Sequence, residues 1–367
     1  MKVDIAIIGG GIAGLSAGAW LAPRCDVVVL EAESTLGYHA TGRSAAAYTE
    51  CYGAETIRRL AKASHSYLTS TDDLTTPLPV MFVAGDKDPG SIDDLLDTFL
   101  PLVPSLERLS PSEVVDRCSA FDPSTIAGGV LEPGALNIDV HALQTGYEHT
   151  IRASGNTILT SAPVVRITRM TNGRWSIEAG DLHIDAQVIV NAAGAWVDQI
   201  AALAGVDPIG FTPLLRSVFT FNSGLESATW PLVVDAREQW YFKPEGPNVL
   251  GSGASELLSD PVDARPPEID VALGIEKINS ATTLSIRSVQ NTWAGLRTFS
   301  PDRVPVVGFD SATPGFFWLA GQGGYGIKTS PALGELAASL ILTDTVPDAI
   351  SAFGISREAL APERFHR

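Results

Sequence analysis

The sequence predicts an α/β protein in which a nucleotide-binding domain with a parallel sheet carries an inserted, mixed α+β domain. Three observations predict it. The N-terminal strand runs straight into a glycine-rich turn. The next strand ends on a carboxylate. A second glycine-rich turn joins strand to helix near the other end of the chain.

The first stretch sets the frame. Val3 to Ile8 is largely apolar and short enough for a buried strand, and Gly9-Gly10-Gly11-Ile12-Ala13-Gly14 follows it. This is G-x-G-x-x-G between a strand and a helix, with Leu15 to Ala22 as the helix and Pro23 as its stop. Gly9 permits the tight turn, Gly11 lets the backbone approach a pyrophosphate, and Gly14 lets helix and strand pack closely. The helix N-terminus then favours the phosphates. Asp26 to Leu30 reads as a second buried strand, and Glu31 closes it. A carboxylate about twenty positions past the turn is where this fold holds a ribose hydroxyl pair.

Composition sets limits. The chain has 367 residues, 45% apolar and 18% charged, which is globular composition with room for two domains. A net charge of −17 argues against nucleic acid and anionic membrane surfaces, both of which need basic patches. No apolar run is long enough to span a bilayer, and a strand leading directly into the turn predicts no cleavable signal. Cys25, Cys51 and Cys118 are scattered without metal spacing, so the expectation is a reduced, cytoplasmic protein without a metal site.

Gly37 to Ala46 carries two glycines, two hydroxyls and Arg43, and is too irregular for a helix; it suits a loop over a bound phosphate. Residues 54–68 read as a helix. From Thr75 six prolines break the chain up to Pro111, leaving a strand at Val80 to Ala84 and a helix at Ile92 to Leu100. Val140 to Ala153 is helical in spacing. Ile158 to Thr160, Val164 to Met170 and Arg174 to Ala179 read as strands, with Asn172-Gly173 as a hairpin turn. Asp185 to Val190 is a buried strand opening into Asn191-Ala192-Ala193-Gly194-Ala195-Trp196, and 196–204 a short helix. Ser217 to Phe221, Gln239 to Lys243 and Asn248 to Gly253 suggest antiparallel strands, and Ile269 to Leu284 a helix. Gly315 to Ala320 is a strand leading into Gly321 to Ser330, with a helix from about Pro331. The division expected is a nucleotide-binding domain of 1–75, 140–205 and 291–367, and a substrate-binding domain of 76–139 and 206–290.

Together these blocks resemble a known family. G-Y-H-A-T-G-R-S-A-A, N-A-A-G-A-W, W-A-G-L-R, S-P-D-R-V-P-V-V-G and G-Q-G-G-Y-G-I-K-T-S are similar to the D-amino acid oxidase superfamily, and within it to bacterial D-arginine dehydrogenases. The resemblance runs along nearly the whole chain. It implies a two-domain fold with a Rossmann-like part that binds FAD non-covalently. It also implies oxidation of a Cα–H bond beside an amine, giving an imino acid that hydrolyses to a 2-oxo acid and ammonia. Contacts to FAD are implied at Gly9, Gly11, Ile12, Ala13, Gly14, Glu31, Ala32, Thr41, Gly42, Arg43, Ser44, Ala45, Ala46 and Val165. Further contacts are implied at Ala192, Ala193, Gly194, Trp196, Gly295, Arg297, Gly321, Gln322, Gly323, Gly324, Tyr325, Gly326, Ile327 and Lys328.

An amino acid substrate needs a cation with fork geometry for its carboxylate. Arg297 and Arg216 match the family's arginines, and Tyr52 and Tyr241 its substrate-contacting tyrosines. Lys328 is a departure toward the sarcosine-oxidase relatives. Ala47, Thr49 and Val80 fall in the substrate pocket, and Val80 and Ala47 stand where the arginine enzymes carry an acid and a histidine. The expectation is therefore a preference for apolar or neutral D-amino acids over D-arginine. Oxidation of secondary amines such as sarcosine, of glycine or of cyclic imino acids, a 2-hydroxy acid dehydrogenase on the same scaffold, and a non-catalytic FAD- or NAD-binding protein are the alternatives. The electron acceptor, oxygen or a quinone-type compound, is open.

Overall fold

The structure is a computed structural model describing residues 1–71 and 73–365. The described residues form three sheets.

The eight-stranded sheet is built on β1 (Lys2–Ile8), whose buried side chains enter the core on both faces. On one side β1 pairs in parallel with β2 (Val27–Leu30), and β2 with Thr157–Leu159. On its other side β1 pairs in parallel with the long strand Leu182–Asn191. That strand divides its free edge. Its first half takes the antiparallel hairpin Val164–Arg169 and Trp175–Ala179, and its last residues pair in parallel with Phe316–Ala320. Strands buried on both faces read as continuous apolar runs, which is why the central ones were legible in the sequence. The helix α1 (Ile12–Leu21) packs behind β1, and the helix Gly326–Thr343 packs on α1. At their contact a side chain on Gly334 would meet the backbone of Ser16.

The helix Gly326–Thr343 starts five residues before the expected Pro331 and holds that proline inside. A proline in a helix orphans the carbonyl four residues back. Here the orphan is Ile327 O, and the Ser330 hydroxyl donates to it at 3.1 Å. The early start places Lys328 in the first turn, buried, rather than in a loop.

The nine-stranded sheet draws on residues 80–132 and 212–299. Its order is Leu257–Leu258, Thr212–Phe221, Asn248–Ser252, Tyr241–Glu245, Leu232–Asp235, Val80–Gly85, Ile126–Glu132 and Glu107–Leu109. Asn291–Phe299, grouped with the nucleotide part in the expectation, pairs along nearly its whole length with Thr212–Phe221. Alternation of buried residues in that strand, with Ala294 and Leu296 inward, fits one sheet face and was not separable from the apolar run that follows it. A three-stranded sheet of Ala47–Tyr48, Leu136–Ile138 and Thr75–Pro77 sits beside the loop that carries Tyr52. Among the described residues no helix is long and apolar enough to cross a membrane.

Candidate active site

One cavity of about 580 Å³ is lined by both glycine-rich turns, by the ends of the parallel strands and by one face of the nine-stranded sheet. Its nucleotide end follows from the first turn. Gly9 has φ +112°, and a side chain there would overlap Ala192 O; one on Gly14 would overlap Gly9 O. Only glycine leaves this space. Glu31 sits at the tip of β2 with one oxygen accepting from Gly10 N–H at 2.7 Å and the other from Glu33 N–H at 2.8 Å. Thr41 Oγ1 accepts from Ile12 N–H at 3.0 Å, so the glycine-rich loop of 37–46 is stitched to the first turn of α1.

Arg43, expected as a counter-charge for phosphate, has its guanidinium occupied. It donates to Ala264 O, Ala294 O and Tyr38 O at 3.0–3.2 Å and pairs with Asp263 at 2.5 Å. It ties the loop to the nine-stranded sheet while lining the cavity. His39 faces Glu33, with Nε2 3.0 Å from its carboxylate, and its ring lies 4.6 Å from that of Trp196.

The far end is built by two adjacent antiparallel strands. In the pairing of Thr212–Phe221 with Asn291–Phe299, Arg216 faces Gly295 and Arg297 faces Leu214, so both arginines stand on one face. Arg297 donates to the Tyr52 hydroxyl at 2.7 Å, and Arg216 reaches the same oxygen at 3.4 Å. Arg216 also donates to Ser255 O and Ala254 O at 3.1 and 2.9 Å. The Arg297 guanidinium lies among the rings of Tyr52, Phe299 and Tyr325, 5.6–5.9 Å from their centroids. Burial alone pushes the Tyr52 phenol up. Arg297 and Arg216 beside it outweigh that and hold it below its ordinary value. Glu256, not anticipated from the sequence, stands behind the arginines at 3.4 Å from Arg297 and 3.7 Å from Arg216, and pairs with Arg303 at 2.7 Å.

Lys328 is buried and spends two protons on one loop, donating to Thr49 O at 2.7 Å and Tyr52 O at 2.9 Å. Burial lowers it from 10.5 to about 8, against the opposing pull of Glu132. Glu132, also buried and also unanticipated, accepts from Thr49 Oγ1 at 2.5 Å and Glu50 N–H at 2.8 Å. Burial raises its carboxyl despite those bonds. The segment 49–52, which ends in the tyrosine that meets both arginines, is therefore clamped between a buried base and a buried acid.

Between the arginines and the clamp, the wall is apolar: Val80, Phe82, Val218, Leu232, Val234 and Trp240, with Tyr241 and Ala47 beside them. Of these, Val80, Tyr241 and Ala47 were expected from the sequence. The others alternate along strands and carry no signal that separates pocket from core. Most predicted cofactor residues line the cavity, including Ala32, Ser44, Ala45, Ala46, Ala193, Gly194, Gly321 and Ile327. Gly14, Gly42 and Tyr325 are not among its lining residues. Val165 does not reach it: it is 56% exposed on the hairpin, while its neighbours Pro163 and Val164 line the wall. In an extended strand a one-residue offset points the side chain to the opposite face.

A dinucleotide fits this arrangement. The glycine cradle leaves backbone open where a Cβ would close it, and Glu31 stands at the tip of β2, where this fold carries a carboxylate for a ribose. At the other turn, Gln322 lines the cavity with a buried side-chain nitrogen that has no partner among the described residues.

Residues 4–340 match the family DAO, described as FAD dependent oxidoreductase. The chain belongs to that family. Its cofactor is FAD. Among curated relatives, human mitochondrial dimethylglycine dehydrogenase is 24% identical over 381 residues, covering 94% of this chain and 43% of the relative. The chain thus spans less than half the length of that protein. D-amino acid dehydrogenase 3 of Mesorhizobium japonicum is 28% identical over 231 residues, 60% of this chain and 55% of the relative. Among solved structures, L-proline dehydrogenase from P. horikoshii superposes with a TM-score of 0.83 at 20% identity, covering 100% of this chain and 98% of the other. That likeness shows the fold.

Proposed function

We propose that this DAO-family enzyme oxidises amino acids at the Cα–N bond, with apolar or neutral D-amino acids as its substrates. The observation that carries the reading is the Arg216–Tyr52–Arg297 group facing an apolar wall in the cavity that also holds the FAD cradle. The guanidiniums bind the substrate carboxylate with fork geometry, and Tyr52 fixes their spacing. Val80, Phe82 and Leu232 take the side chain, and Tyr241 covers it. When bound non-covalently in the cradle, FAD supplies the hydride acceptor. The substrate loses a hydride from Cα and a proton from nitrogen, and the imino acid adds water to release a 2-oxo acid and ammonia. Lys328 holds the Tyr52 loop in place. The division of labour we propose gives 1–75, 140–205 and the C-terminal turn and helix to FAD, and 76–139 and 206–290, joined by Asn291–Phe299, to the substrate.

A second reading, oxidation of secondary or cyclic amines, is favoured by Lys328 and by the relatives named for dimethylglycine and L-proline. Anaerobic mixing with D- and L-amino acids, N-methyl and cyclic amino acids and 2-hydroxy acids tests both. Bleaching of the flavin band by D-leucine or D-methionine supports the first reading. Bleaching only by sarcosine, dimethylglycine or proline replaces it with the second.

A further inference from the structure

The amino acid reading leaves the substrate nitrogen without a partner, and the structure supplies one on the turn Ala236–Trp240. This turn joins the strands Leu232–Asp235 and Tyr241–Glu245. Asp235 builds it: its carboxylate accepts from the N–H groups of Arg237 and Gln239 at 3.0 and 3.1 Å, and its carbonyl from Glu238 N–H at 2.7 Å. These bonds hold Glu238 at φ +57°, a left-handed backbone that a side chain such as glutamate adopts at a cost. Successive side chains then diverge. Arg237 turns outward to Asp88 and Asp94 at 2.7 and 3.0 Å, and Glu238 lines the cavity.

The Glu238 carboxylate has no hydrogen bond and no ion pair among the described residues. The residue is exposed to the cavity rather than packed in the core. Desolvation by the surrounding walls raises its carboxyl, against the pull of Arg216, Arg297 and Lys328. The other acids lining the cavity, Glu31 and Glu33, stand at the nucleotide end and are engaged with backbone N–H groups and with His39. Three cations and one uncommitted carboxylate thus face a space open to a small molecule. A substrate carboxylate satisfies the arginines. It leaves Glu238 as the acceptor for a group carrying N–H.

We propose that Glu238 receives the substrate nitrogen, so that the site recognises an amino acid by both of its charged groups. This rests on the function proposed above and narrows it. A 2-hydroxy acid presents only one weak donor to Glu238 and leaves the carboxylate poorly compensated, so the same cavity disfavours it.

The test compares two ligands on the FAD-loaded protein: D-leucine, read by the concentration dependence of anaerobic flavin bleaching, and 4-methylpentanoate, the same molecule without nitrogen, read by its inhibition of that bleaching. Glu238→Gln keeps the size and removes the charge. Glu238→Asn suits the left-handed backbone, and guards against a loss caused by the turn. Both variants should bind D-leucine about 10- to 100-fold more weakly, and 4-methylpentanoate within threefold of wild type or more tightly. Unchanged D-leucine binding, or equal losses for both ligands, overturns the assignment of Glu238 alone. Wild-type flavin that no amino acid bleaches overturns the functional reading, and this assignment with it.

Discussion

Gly324→Ala separates the carboxylate site from the fold. A methyl on Gly324 would overlap Nη2, Cζ and Nε of Arg297, so the guanidinium lies directly on this glycine. Gly324 has no left-handed φ, and alanine can adopt its backbone. The clash therefore falls on a side chain and not on the chain trace. To restore an ordinary contact of about 3.5 Å, the guanidinium must move by roughly 2 Å. That movement breaks the 2.7 Å bond to Tyr52 and takes Arg297 from its place among three rings. A hydrogen bond to a charged group contributes about 1.5–3 kcal/mol, and a displacement of about 1 Å at a reacting site can cost roughly 10²-fold. The expectation is a loss in kcat/KM for D-leucine of at least about 10²-fold, or roughly 3 kcal/mol. Flavin content, read from the visible band, should fall far less than kcat/KM, and melting temperature should fall by a few degrees, in keeping with one lost hydrogen bond. A variant that keeps its FAD and a kcat/KM within threefold of wild type would show that Arg297 does not hold the substrate.

Lys328 makes a pH-dependent prediction. Its ammonium falls from 10.5 to about 8 on folding, chiefly through burial, so the folded chain releases this proton first as pH rises. The penalty for burying the charge is complete below pH 8 and fades between about 8 and 10.5. Across that window wild type should gain about 3 kcal/mol relative to Lys328→Met. Urea unfolding of both proteins at pH 7 and pH 10 measures this, and a constant difference refutes it. Glu31→Ala removes the acceptor of two backbone N–H groups at the nucleotide end of the cavity. It should weaken FAD retention about 10- to 100-fold, seen by ultrafiltration and absorbance of the filtrate. D-Arginine should react at least about tenfold less efficiently than D-leucine, because an unpaired guanidinium against Val80, Phe82 and Leu232 is costly. Steady-state kinetics with the two substrates decides it, and a preference for D-arginine would show that an acid serves the side-chain pocket.

The parts of the fold that bind the nucleotide were legible because their chemistry is local. A strand buried on both faces needs a continuous apolar run, and a tight turn under a phosphate needs glycine at fixed spacing, so Ile5 to Gly14 and Val27 to Glu31 carry their meaning in order. Arg216 and Arg297 were legible only through resemblance. Nothing in L-L-R-S or G-L-R-T tells that two strands eighty residues apart will pair with both arginines on one face. Arg43 shows the reverse case. Its place in a glycine loop suggested a phosphate, yet tertiary contacts with Ala264, Ala294 and Asp263 claim its guanidinium.

The acids were the hardest to read, for a common reason. Glu238 lies in A-R-E-Q, which by composition is a solvated hairpin turn, and only the bonds from Asp235 turn it into the cavity. Glu256 sits in a loop whose position depends on Arg303 and the two arginines it backs. Glu132 ends a strand whose residues are otherwise apolar, and a carboxylate there looks like an edge until Thr49 and Glu50 arrive from across the fold. Charge compensation is a property of the folded site. Arg216, Arg297 and Lys328 could not be gathered around one cavity without acids to offset them, because like charges brought together out of water repel strongly. A sequence that predicts three cations in one pocket therefore also predicts acids near them, though not which ones. Of the three acids the structure supplies, Glu132 and Glu256 are already bound to protein groups, and Glu238 stays open to a ligand.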